Sequence, residues 1–61
     1  MASLTAKELS ALEDTIKSEQ VLIKKYRAMA CLCNDMKIQS DFNCIAGKHQ
    51  QHYDTLMTFL Q

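Results

Sequence analysis

The sequence predicts an all-α protein, an antiparallel hairpin of two helices that pairs with a second copy into a four-helix bundle. Three observations carry this. The chain has 61 residues with no proline and one glycine, so the residues that break helix interiors are almost absent. Apolar residues recur in alternating steps of three and four along both halves, the repeat of left-handed helix packing. A single polar pair, Asn34-Asp35, interrupts that repeat near the middle.

The first helix is expected over about residues 6–33. Thr5 and Glu8 have the T-x-x-E spacing of a capping box, in which each side chain accepts a backbone N–H of the other residue. Leu4 and Leu9 stand where a hydrophobic staple forms. The seam runs Leu9, Leu12, Ile16, Glu19, Ile23, Tyr26, Ala30, Cys33. The turn falls at about 34–35, with Asn34 tolerating a left-handed C-terminal conformation and Asp35 capping the next helix. The second helix follows over about 36–60, with a seam through Ile38, Phe42, Ile45, His49, His52, Leu56 and Phe59. Leu22, Met29, Ala46, Tyr53, Met57 and Leu60 widen the apolar faces, which suits a bundle better than a two-stranded coil. Gly47, inside the second helix, suggests a close approach of another helix.

Residues 1–61 make one domain at most, and a chain this short buries a marginal core alone. Two helices of about 25 residues, each roughly 37 Å long, joined by a short turn must lie antiparallel. A hairpin covers only part of each apolar face, so a homodimer is the expected folded unit.

Seven basic and seven acidic side chains leave no net charge, which argues against nucleic acid as a partner. Lys24, Lys25 and Arg27 read as a solvated helix face. No apolar run approaches the ~18 residues of a membrane span. The opening MASLTAKELS lacks the basic and apolar segments of a secretory signal. Synthesis inside the cell is expected, with a cytoplasmic location. Cys31, Cys33 and Cys44 fit no zinc spacing and read as small buried hydrophobes.

Glu19, His49 and His52 interrupt the two apolar seams with ionisable groups. Reflecting position 19 across the turn lands between the two histidines, so the three should meet halfway along the hairpin. Two arrangements satisfy such a cluster. A transition metal (zinc, iron, nickel or copper) can be held by the two imidazoles and the carboxylate, and a dimer would supply two such sets. Alternatively, Glu19 accepts hydrogen bonds from the imidazoles in a polar layer that sets register without metal. Tyr26 and Tyr53 flank the cluster, and their hydroxyls are expected to tether to a nearby polar group.

The stretches LTAKELSALEDTIKSEQVLIKKY and IAGKHQQHYDTL resemble the small spore coat proteins related to the coat protein F family. The resemblance covers nearly the whole chain and is most specific at Glu19-Gln20 with the following Lys-Lys-Tyr run, and at His49 to Tyr53. It implies half of a ferritin-like four-helix bundle, a role in a spore coat, and other coat proteins as partners in a higher assembly. Ferritin-like di-iron proteins carry Glu on one helix and Glu-x-x-His on the next. Glu19 and His52 match that pattern, whereas position 49 departs from it, replacing a bridging carboxylate with a neutral nitrogen. Such a site suits zinc, copper, nickel or a single iron better than a di-iron centre.

The expected function is therefore a non-enzymatic structural or assembly component, with metal binding as the alternative. Catalysis is not expected. Cys44 and His49 lie five residues apart, off a common helix face, and the chain has no glycine-rich phosphate loop.

Overall fold

Two helices joined by a short extended connection make up the computed structural model, which describes residues 3–60. The first, α1 (Ala6–Leu32), starts at the expected capping box. The Glu8 N–H donates to Thr5 Oγ1 at 3.0 Å, and the Thr5 N–H donates to Glu8 Oε1 at 3.0 Å. The Thr5 backbone donor holds the Glu8 carboxyl below its ordinary pKa, and the Thr5 side chain adds to the effect. Leu4 and Leu9 stay exposed at the rim.

The exit from α1 differs from expectation. Among the described residues no non-glycine residue has a positive φ, so Asn34 is not left-handed. The chain leaves the helix instead through extended Cys33, at φ −86° and ψ 131°. The Cys33 N–H closes on the Ala30 carbonyl at 3.2 Å, and the Gln39 side-chain amide of the second helix donates to the same oxygen at 3.1 Å, so this carbonyl of the helix end is satisfied without a left-handed residue. Asp35 caps α2 (Met36–Met57) as expected, accepting the Ile38 N–H at 3.0 Å. The α-helix ends three residues short of the expected Leu60, giving way to a 3-10 turn over Thr58–Leu60. There the Thr58 hydroxyl donates to the Thr55 carbonyl at 2.6 Å, a local bond that tightens the last turn.

Along α1 the seam holds from Leu12 to Cys33, every member buried or partly buried. Along α2 its phase shifts. The inner row is Gln39, Phe42, Ala46, His49, Tyr53 and Leu56, centred on Ala46, which is 0% exposed. Ile38, His52 and Phe59, expected on the seam, are exposed, and Ile45 lies at its edge, partly buried. A small side chain at the centre lets two helix axes approach, and burial of Ile16, Ala30 and Ala46 marks where they do.

The cysteines are a second correction. Cys31 and Cys44 are exposed and Cys33 is partly buried, all as free thiols. Cys31 and Cys44 lie beside the seam, next to Ala30 and between Phe42 and Ala46, so their side chains miss the partner helix. Gly47 is a third. A Cβ built there meets no atom within 4 Å, so no helix of the hairpin needs that glycine. Gly47→Ala is expected to raise stability by up to about 1 kcal/mol, read as a higher urea midpoint. A lowered midpoint would mean that another chain packs against that spot.

The two broad faces of the hairpin are unlike. On one, seven-residue repeats place Thr15, Leu22 and Met29 along α1 and Ile38, Ile45, His52 and Phe59 along α2. On the other, the same spacing places Glu13, Gln20 and Arg27 opposite Asn43 and Gln50, with Met36 and Met57 at the two ends of that row. Arg27 Nη1 donates to Asn43 Oδ1 at 3.1 Å across that polar face. Among the described residues no helix is long and apolar enough to cross a membrane.

Candidate functional site

Position along the hairpin brings Glu19 and His49 together. Glu19 lies midway along α1, between Ala6 and Leu32. The antiparallel return of α2 sets the same height at His49, and His52 follows one turn later on the same side. His49 Nδ1 lies 3.0 Å from Glu19 Oε2 and 3.3 Å from Oε1, so the Nδ1–H tautomer donates to the carboxylate. His52 Nδ1 lies 3.4 Å from the same Oε2, within ion-pair reach. The sequence-based layer is thus formed by one hydrogen bond, from His49, with His52 at its edge.

Exposure separates the three side chains. Glu19 is 13% exposed and His49 22%, whereas His52 is 62% exposed. The carboxylate and one imidazole are sunk between the helices, and the other imidazole stands at the opening. Around it runs a shallow, mainly apolar groove lined by Thr15, Glu19, His52, Thr55 and Leu56. That groove lies on the apolar broad face of the hairpin, not on the polar one.

Aromatic rings hold the cluster from one side. The Tyr26 ring stacks on the His49 ring, centroids 5.9 Å apart and planes 9° apart, and leans on Phe42 at 6.0 Å. His52 meets His49 edge-on at 5.6 Å. Tyr26 therefore serves the site through its ring, where a hydroxyl tether was expected. Tyr53 is partly buried one turn beyond His49, on the shifted seam. The stack was open to sequence reasoning, since Tyr26 is one heptad from Glu19 and reflects across the turn to Asn43, beside Phe42. Thr15 and Thr55 carried no comparable signal, being unremarkable until the phase of both helices is known.

One donor atom from each of Glu19, His49 and His52 lies within 4.8 Å of the others. Around tetrahedral zinc, bonds of about 2.0–2.1 Å separate neighbouring donors by roughly 3.3 Å. The two distances to Glu19 Oε2, 3.0 and 3.4 Å, match that spacing. Small rotations of the exposed His52 would close the third edge. The donor set, two nitrogens and one oxygen, suits borderline divalent ions such as zinc or copper over calcium or magnesium. The residues present thus fit a transition metal, with three donors from one hairpin.

No family model, curated protein or solved structure matches the chain.

Proposed function

We propose that the protein is a non-enzymatic assembly unit of the spore-coat type, working as a dimer whose hairpins pair into a ferritin-like four-helix bundle. The unpartnered apolar face is the observation that carries this reading. Ile38, Met29 and Phe59 are exposed there, and Ile45, Leu22 and Leu56 are only partly covered. The accessible surface is 4775 Å². A folded monomer of 7.0 kDa is expected to expose roughly 4,000 Å². The excess, roughly 700 Å², is about one partner's share of a standard protein interface. A second copy covers that face with its own, since a two-fold axis brings identical apolar lines together. The coat assignment rests on the sequence resemblance, and other coat proteins would be the further partners.

Sedimentation equilibrium at micromolar concentration tests the reading. The expected mass is that of two chains, and Ile45→Asp, on the apolar face, is expected to reduce it to one. A helical, cooperatively folded monomer would overturn it. Recovery of the chain from the coat fraction of spores is the matching cellular test.

A second reading, divalent metal binding, is favoured by the convergence of Glu19, His49 and His52. The resident ion would supply Lewis-acid and bridging capacity. The chain's own part is to hold it through one carboxylate oxygen and two imidazole nitrogens.

A further inference from the structure

The metal cluster and the apolar face are the same place. We infer that a zinc-class ion binds between two hairpins, held by Glu19, His49 and His52 of both copies, so that metal loading and dimerisation are thermodynamically linked. This rests on the dimer reading above and adds to it the ligand and its location.

Three observations converge on it. The first is direction: His52 is 62% exposed, and the groove beside it is lined by Thr15, Leu56 and Thr55 on the apolar face. An ion held there would look out of one hairpin and towards whatever covers that face. The second is an incomplete donor set. One hairpin offers three donor atoms, and closed zinc sites take four. The missing ligand must come from water or from a partner. The third is position. Glu19 is the midpoint of α1, from Ala6 to Leu32. When two hairpins overlap along their full length, a two-fold axis along the long dimension or across it brings the midpoints to the same height. The two clusters face each other either way.

Energetics favours the same arrangement. Covering Glu19 and His52 with a purely apolar surface would strip water from polar groups and give nothing back, at a cost of a few kcal/mol per group. The partner's own cluster is the polar group at that height. Two carboxylates brought together would repel, and a divalent cation between them cancels that repulsion. Four of the six donors complete one tetrahedral ion, and two ions can each reach four donors by sharing the carboxylates of both copies, so half to one ion per chain is expected.

The test is sedimentation equilibrium on the full chain with Cys31, Cys33 and Cys44 replaced by serine, which removes thiolates as competing ligands. Circular dichroism checks that its helicity is kept. The dimer dissociation constant is measured in chelator and in a small excess of zinc, together with zinc bound per chain. Zinc is expected to tighten the dimer tenfold or more, with half to one ion bound. His52→Ala and Glu19→Gln are each expected to abolish the zinc-dependent tightening, and Glu19→Gln, which removes the carboxylate repulsion, is expected to leave the dimer in chelator as tight as the parent or tighter. His52 is exposed, so that variant spares the packing. A dimer of equal strength with and without zinc overturns the linkage and leaves the dimeric assembly unit standing. Zinc bound to a chain that stays monomeric overturns both, as does a monomer that binds none.

Discussion

Ile16→Ala is expected to unfold the hairpin. Ile16 is 7% exposed, and Ala30 and Ala46 are its only companions as buried apolar residues among those described. Truncating a buried isoleucine to alanine costs about 2–5 kcal/mol, because transfer energy is lost and the surroundings close the cavity only in part. A chain of this length has a total stability of roughly 3–9 kcal/mol. One substitution therefore removes a large share of it, and all of it towards the lower end of that stability range. The readout is the helical circular dichroism signal and the urea midpoint, compared with Val21→Ala, an exposed position where a change within about 0.5 kcal/mol is expected. A loss under about 1 kcal/mol for Ile16→Ala would mean that the stabilising contacts lie in the dimer interface, away from the α1–α2 seam.

Replacing the central polar pair should have the opposite sign. Glu19→Leu combined with His49→Leu is expected to stabilise the fold by about 1–4 kcal/mol, since well-packed apolar residues commonly outperform a desolvated polar pair that carries a carboxylate. Glu19→Leu alone is expected to destabilise by about 1–3 kcal/mol, because the His49 N–H, 3.0 Å from its acceptor, loses it while still partly buried. The double-mutant cycle isolates this coupling. A more stable double variant that no longer binds zinc would assign the cluster to function or register. A double variant less stable than the parent would make the pair a structural keystone, its hydrogen bond worth more than the burial that replaces it.

The opposition of Glu19 and His49 was legible because two local facts multiply. The three-four alternation puts both residues on inner faces, and the turn at Asn34-Asp35 sets their heights. The structure gives 3.0 Å between them. Cap chemistry was legible for the same kind of reason. Thr5, Glu8 and Asp35 act on backbone groups three residues away, a distance that the sequence itself specifies. Asn34 failed as a guide because the chain leaves the helix one residue earlier, at extended Cys33, whose N–H closes on the Ala30 carbonyl while Gln39 of the second helix donates to the same oxygen.

Sequence alone thus determined the helices, their antiparallel return, the N-terminal cap residues and the height of the polar cluster, since each depends on periodicity or contacts within one turn. Only the tertiary structure decided the phase of α2. Candidates stand side by side at Ile45-Ala46 and His52-Tyr53, while Phe42, His49 and Leu56 serve either choice, so two seams half a turn-step apart are well patterned. The packed pair selects the one through Ala46 and Tyr53, where the smaller residue admits α1. That choice turns His52 out of the hairpin and onto its apolar face. A rotation of the buried face by about 50°, half the angle between neighbouring residues, is invisible in composition, and here it decides whether the cluster closes within one hairpin or opens towards a second.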